Sequence, residues 1–136
     1  MAVTKFVLNE TSYFGEGARS VLADEIKNRG FKKILVVTDK SLYEVGVSKK
    51  VTDILDEAGI EYGVYHDVLP NPPIANVNAG IAMCKEIGAD LIVAVGGGSS
   101  IDTAKAISII MTNPDRADVV SLNGASNTKN KGLPII

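Results

Sequence analysis

A run of three glycines is the part of this chain best suited to bind a ligand. Gly96, Gly97 and Gly98 follow the apolar run 91–95 and precede Ser99, at the predicted start of a helix. Glycine permits positive φ and leaves no Cβ in the way of a ligand, while the free N–H groups of a first helical turn attract an anion. Ligands of open α/β sheets bind at such strand ends. The segment therefore predicts a turn in which a pyrophosphate would fit.

Two polar residues after the glycines also have an interpretation that needs no ligand. Ser99 and Asp102 have the S-x-x-D spacing of a capping box, in which Ser99 would cap the helix. The G-x-G-x-x-G fingerprint is absent here, since Ile101 stands where its last glycine would be. A near match at residues 15–20 is explained equally well as a glycine turn into the first helix.

A carboxylate at the end of another predicted strand is the second candidate. Asp39 follows the run 34–38, where a carboxylate can accept hydrogen bonds from an adenosine ribose and would repel a 2'-phosphate. This favours NAD over NADP. Asp is also a common helix cap, and Asp39 comes just before residues 41–43, so a purely structural role is an equally simple interpretation.

The elements that position these residues alternate along the chain. Aliphatic and β-branched runs predict strands at 5–8, 33–38, 61–65 and 90–95. Helical periodicity predicts helices at 17–28, 47–58 and 74–87, and a fourth from Ser99 to the Asn113–Pro114 stop. Nearly all-apolar strands separated by helices need cover on both faces. The fold class is therefore α/β, a Rossmann-like parallel sheet with helices on both faces.

Composition and charge exclude several kinds of partner. The chain has 136 residues, 46% hydrophobic and 22% charged, with a net charge of -2, which predicts one domain over residues 1–136. The charges form no long blocks, so no nucleic acid partner is expected. The apolar runs fall short of the roughly 20 residues that span a bilayer, and residues 1–9 lack a signal-peptide core. We therefore expect a cytoplasmic protein with no membrane partner.

The chain offers few residues for catalysis or metal binding. Cys84, the single cysteine, lies in a helical pattern and is interpreted as a small buried hydrophobe. His66, the single histidine, follows a predicted strand and is expected to be a loop residue without catalytic duty. One histidine and one cysteine cannot build a metal site of the two- or three-histidine type. We therefore predict no catalytic residue and no metal ligand.

Residues 133–136 have the apolar composition of a strand that is not yet complete. A natural carboxyl terminus usually frays into polar residues, whereas residues 133–136 are mostly apolar and would need partners further on. The domain is therefore expected to be incomplete at its C-terminal end, as a truncated piece of a longer protein.

Three segments together resemble a known family, the iron-containing (group III) alcohol dehydrogenases. They are VTDKSL at residues 37–42, Asn71-Pro72-Pro73 with the helix after it, and GGGSSIDTAK at residues 96–105. The pattern G-G-G-S-x-x-D-x-A-K is specific for the superfamily in its setting between a strand and a helix. The resemblance covers essentially the whole chain.

The resemblance implies an NAD cofactor and a role for each matching residue. Asp39 would hold the adenosine ribose, and Asn71 would line the adenine side of the same cleft. The pyrophosphate would lie on Gly97, Gly98 and Ser99, with Asp102 near the nicotinamide ribose.

The resemblance also implies partners. The strand at residues 4–8 would pair with that of a second subunit, giving a homodimer, and the substrate would be a small alcohol or aldehyde.

The family's metal site is missing from this chain. Family members continue past the position of Ile136 into a helical domain that supplies one aspartate and three histidines to a catalytic Fe(II), or Zn(II) in some relatives. The chain alone is therefore expected to bind NAD weakly or undetectably and to turn nothing over. Two alternatives stay open: a non-catalytic nucleotide-binding module, and an enzyme of the glycerol dehydrogenase or dehydroquinate synthase type.

Overall fold

Strands and helices alternate along the chain in a computed structural model that describes residues 13, 15–114 and 132–136. The strands are β1 (Lys33–Asp39), β2 (Glu61–Val68) and β3 (Leu91–Ala94). The helices are α1 (Leu22–Asn28), α2 (Lys40–Glu44), α3 (Val47–Glu57), α4 (Ile74–Ile87) and α5 (Gly98–Thr112), and a 3-10 turn (Ala18–Val21) precedes α1. The order confirms the predicted α/β class.

The sheet is parallel, with β1 in its middle. The strand order is β2-β1-β3, and Ile34 pairs with Tyr62 on one side and with Leu91 on the other. The last residues extend the sheet beyond β3 through a parallel bridge from Ile92 to Ile135, with the Ile136 N–H donating to the Ile92 carbonyl at 3.0 Å. The strand predicted for residues 133–136 is thus present as a single bridge, and its partner is β3 of this chain.

Helices cover both faces of the sheet, as predicted. Because successive side chains of a strand point to opposite faces, β1 contributes to two separate cores. Leu35 and Val37 lie in a buried cluster with residues of α4 and α5, whereas Ile34 and Val36 lie in one with residues of α1 and α3. None of the helices in the described ranges is long and apolar enough to cross a membrane.

Some local predictions differ from the structure. The predicted helix at 17–28 begins as the 3-10 turn after Gly17, whose φ is 76°, and becomes α-helical only at Leu22. Helix α2 was not predicted, because five residues are too few to display an apolar period. The predicted strand at 5–8, and with it the dimer contact, lies outside the described residues.

Cys84 is the buried small residue that its pattern predicts, and its burial affects its chemistry. It has no exposed surface, and this burial raises the pKa of its thiol to about 11. The thiolate is the reactive form, so the folded chain should resist a thiol reagent such as Ellman's at neutral pH and react once guanidinium unfolds it.

The same pKa shift sets the direction of a pH effect on stability. The unfolded thiol ionises at lower pH than the folded one, so the unfolded chain binds fewer protons in alkaline solution. The contribution of Cys84 to the free energy of unfolding should therefore fall as the pH rises towards 11. Rapid labelling of Cys84 in the folded chain at neutral pH would contradict both the expected protection from thiol reagents and the expected pH dependence of stability.

Candidate functional site

The sheet topology creates a crevice between the carboxyl ends of β1 and β3. The chain passes from β1 outward to β2, then crosses back to form β3 on the opposite side of β1. Ligands of doubly wound sheets bind at such a switch point, outside the carboxyl ends of the strands. Asp39 ends β1 and the glycine turn follows β3, and the Val95 N–H donates to the Val37 carbonyl at 2.9 Å. The fold therefore brings Asp39 and the glycine turn to one edge of the sheet.

The three glycines of the turn have different environments. Gly96 has a φ of 134°, and a Cβ added to it would lie 2.9 Å from Leu42 Cδ1 and 2.9 Å from Ser100 Oγ. At Gly97 and Gly98 an added Cβ would have no neighbour within 4 Å among the residues that the structure describes, and neither glycine has a positive φ. Of these three positions, position 96 is the one at which the described packing requires glycine. The open space at 97 and 98 is what close approach by a ligand would need.

Helix α5 begins one residue earlier than expected, so the predicted capping box is wrong. The N-cap is Gly97, with φ -94° and ψ -160°, and as a glycine it supplies no side-chain cap. Since an N-cap residue has extended backbone, Ser99, already inside the first turn, cannot fill that position. Asp102 lies exposed in the next turn. The first turn contains no acidic side chain, so its N–H groups and the helix dipole favour an anion.

Asp39 has the structural role that its sequence context allowed. It is the N-cap of α2, and its Oδ1 accepts a hydrogen bond from the Leu42 N–H at 2.8 Å. Its other carboxylate oxygen has no hydrogen-bond partner among the residues the structure describes. Capping therefore uses one oxygen and leaves the second for a ligand.

Asn71 follows β2 at the same edge of the sheet. Val68, at the end of β2, pairs with Asp39, and Asn71 lies three residues further along in an exposed loop. Its φ of 47° places it in the left-handed region, which Asn tolerates better than most residues. Asn71 therefore lies on the β2 side of the crevice, beyond Asp39.

His66 lies inside β2, so its prediction as a loop residue is wrong. The register between β1 and β2 shifts after Val37, and His66 and Asp67 together oppose the single residue Thr38. The imidazole stacks on the ring of Tyr43 from α2, with centroids 4.1 Å apart and planes 14° from parallel. The irregular pairing depends on both strands, so the sequence of β2 alone did not reveal it.

No metal site is formed by the described ranges. Within residues 13, 15–114 and 132–136, no group of three or more His, Cys, Asp and Glu side chains is placed to hold an ion. His66 Nδ1 lies 3.4 Å from Asp67 Oδ1, and in those ranges no third potential ligand joins the two. These residues therefore do not fit a catalytic metal.

Comparison with known proteins gives consistent matches. Residues 9–136 match the family described as iron-containing alcohol dehydrogenase. Lactaldehyde reductase of Escherichia coli (strain K12) is 49% identical over 132 residues, which cover 97% of this chain and 35% of that protein.

Solved structures agree in fold. A 1,3-propanediol oxidoreductase matches with a TM-score of 0.89 and 36% identity, over 98% of this chain and 35% of its own. A sulfoacetaldehyde reductase from Bifidobacterium kashiwanohense, solved in complex with NAD+, matches with a TM-score of 0.75 and 28% identity, over 89% of this chain and 31% of its own. The chain thus spans 35% of the length of the lactaldehyde reductase and of the propanediol oxidoreductase.

Proposed function

Because the chain belongs to the iron-containing alcohol dehydrogenase family, we propose that it is the NAD-binding part of an enzyme that transfers hydride between nicotinamide and a small alcohol or aldehyde. The observation that carries this proposal is the open space at Gly97 and Gly98, beside the uncapped start of α5. The NAD+ complex of the related sulfoacetaldehyde reductase supports the choice of nucleotide. When bound, NAD supplies the hydride chemistry.

The described residues would bind and orient the nucleotide. The first-turn N–H groups of α5 would donate to the pyrophosphate, because no side chain of the helix competes for them. The second oxygen of Asp39 would accept from the adenosine ribose. The full proposed set is Asp39, Asn71, Gly97, Gly98, Ser99 and Asp102, with Asn71 on the adenine side and Asp102 near the nicotinamide ribose.

The rest of the proposed protein follows from the family. Its iron, or zinc in some relatives, would be held by the helical domain that family members have after the position of Ile136, and no residue of this chain is proposed as a metal ligand. We further propose a cytoplasmic homodimer that pairs through the strand at residues 4–8 and has no nucleic acid or membrane partner.

A titration followed by amide NMR tests the cofactor site even if binding is weak. NAD+ at millimolar concentration should shift the backbone amides of Asp39 and of Gly97, Gly98 and Ser99, because these line the proposed crevice. NADP+ should shift them less, since its 2'-phosphate would meet the Asp39 carboxylate. Absence of any shift at these amides, or shifts confined to another face, would refute the proposed site.

Replacing Asp39 with serine should separate its role as the N-cap of α2 from its proposed role in binding the ribose. Serine is as good an N-cap as aspartate, so the free energy of unfolding should change by less than about 0.5 kcal/mol. The carboxylate is lost, however, and a hydrogen bond to a charged group is worth about 1.5–3 kcal/mol. We expect NAD+ affinity to fall about tenfold or more and the preference for NAD+ over NADP+ to disappear.

Competing titrations with the two nucleotides measure this preference. Asp39→Ala is the matched comparison, because it loses the carboxylate and also the cap, at a cost of about 1 kcal/mol. An unchanged preference in Asp39→Ser would exclude the carboxylate from nucleotide recognition.

A further inference from the structure

A stacked aromatic pair joins α2 to β2 near the carboxyl edge of the sheet, on the side of β1 where Asn71 also lies, and the proposed set of NAD-binding residues does not include it. Tyr43 and His66 lie face to face at 4.1 Å. Tyr43 is nevertheless 46% exposed, although it is a large apolar side chain. One ring face is therefore covered by the imidazole while much of the side chain stays open to solvent.

The position of the pair follows from two local features. Tyr43 lies four residues after Asp39, the N-cap of α2, and residues four apart are neighbours along a helix. His66 lies at the irregular pairing opposite Thr38, and such bulges re-aim a side chain beside functional sites. The short helix that Asp39 caps thus carries Tyr43 onto His66 at the irregular end of β2.

The residues assigned to the adenosine end of the nucleotide belong to the segments that adjoin the pair. Asp39 ends β1, and Asn71 follows β2 at the same edge. Leu69, between His66 and Asn71 in the chain, is 48% exposed and adds a second apolar side chain there. Ligand sites are lined mainly by apolar and aromatic side chains with a few polar groups, and this end of the crevice has that composition.

We propose that Tyr43, held in orientation by His66, is the stacking platform for the adenine ring of NAD. This inference rests on the proposed function. Adenine presents a flat π-face, which stacks favourably on aromatic side chains. Because His66 already fixes the tyrosine ring, little side-chain freedom is lost on binding. The platform would recognise the adenine, while Asp39 recognises the ribose attached to it.

His66 provides a direct spectroscopic test. It is the single histidine of the chain, so its imidazole proton signals can be assigned without ambiguity. AMP and NAD+ should shift these signals through the ring current of the stacked adenine, whereas nicotinamide mononucleotide, which lacks adenine, should leave them in place. Equal shifts with all three nucleotides, or none with AMP, would overturn the platform.

Variants of Tyr43 measure its contribution. Tyr43→Ala should weaken AMP and NAD+ about tenfold, a typical loss for one base–aromatic stack, and should leave nicotinamide mononucleotide unaffected. Tyr43→Phe should keep the wild-type affinity. Tyr13→Ala is the matched control, because Tyr13 is similarly exposed, at 50%, and its hydroxyl donates to Glu25 on α1. Tyr43→Leu replaces the alanine variant if that variant fails to fold.

The outcomes separate this inference from the proposed function. If Gly98→Val abolishes NAD+ binding while Tyr43→Ala and Tyr43→Leu leave AMP and NAD+ affinity unchanged, the cofactor site stands and the platform is refuted. If NAD+ shifts neither the glycine amides nor His66, the proposed function and the platform are refuted together. A selective loss of AMP and NAD+ binding in Tyr43→Ala supports both.

Discussion

Replacing Gly98 with valine is expected to abolish measurable NAD+ binding while the chain stays folded. A side chain at this position would extend into space that holds no described atom within 4 Å of its Cβ. That space is where the proposed pyrophosphate lies, so the isopropyl group would displace it. We expect a loss of at least about tenfold in affinity, or 1.4 kcal/mol.

The fold should tolerate the same change. Gly98 is exposed, is the first residue of α5 and has no positive φ, so valine should change the free energy of unfolding by no more than about 0.5 kcal/mol. Gly98→Ala should even stabilise the chain by up to about 1 kcal/mol, because alanine favours the helix and restricts the unfolded chain.

Calorimetry with NAD+ and urea unfolding of the same samples check both expectations. Micromolar affinity that survives Gly98→Val would refute the assignment of the glycine turn to the pyrophosphate. Loss of binding accompanied by unfolding would instead show that Gly98 is needed for the fold.

Replacing Gly96 with alanine is expected to have the opposite signature, a loss of stability. Its φ of 134° is a conformation that L side chains rarely adopt, and the new Cβ would lie 2.9 Å from both Leu42 Cδ1 and Ser100 Oγ. Forcing a non-glycine residue into such a conformation costs about 1–3 kcal/mol, before any movement of Leu42 or Ser100.

Gly59→Ala is the matched control for this prediction. Gly59 also has a positive φ, 68°, but an added Cβ there meets no atom of the described residues within 4 Å. Its alanine variant should therefore show only the left-handed backbone cost of about 1–2 kcal/mol. If urea unfolding gives Gly96→Ala no greater loss than Gly59→Ala, the close approach of Leu42 and Ser100 has no energetic consequence.

Together, the Gly98 and Gly96 variants would distinguish a glycine that ligand binding requires from a glycine that the fold requires. The sequence pattern treats the three members of the triple glycine alike, whereas an added Cβ would be crowded at Gly96 and would meet no described atom within 4 Å at Gly97 and Gly98. The prediction of binding residues named Gly97 and Gly98 and left out Gly96. That choice rests on the family resemblance and stays a prediction, with which the open space at Gly97 and Gly98 and the crowded Cβ position at Gly96 are compatible.

Elements with strong local signals were predicted well. Helix α4 has the predicted bounds, Ile74–Ile87, because Pro73 precedes it and Gly88, with φ 67°, ends it. The observed strand β1 is only one residue longer than the predicted strand at 33–38. The agreement is close because a buried aliphatic run has no competing interpretation. The predicted start of α5 at Ser99 was wrong because serine's preference for the N-cap was outweighed by the extended backbone of Gly97.

The sequence by itself determined the α/β class, the alternation of strands and helices, and the glycine turn, because each depends on neighbours within a few residues. Only the tertiary structure decided the strand order β2-β1-β3, which places Asp39 beside that turn. It also decided that Tyr43 stacks on His66. The strand order and the stacked pair each bring together residues that are far apart in the chain. They depend on which helix and sheet faces pack together and on the side of β1 to which each connection leads the chain.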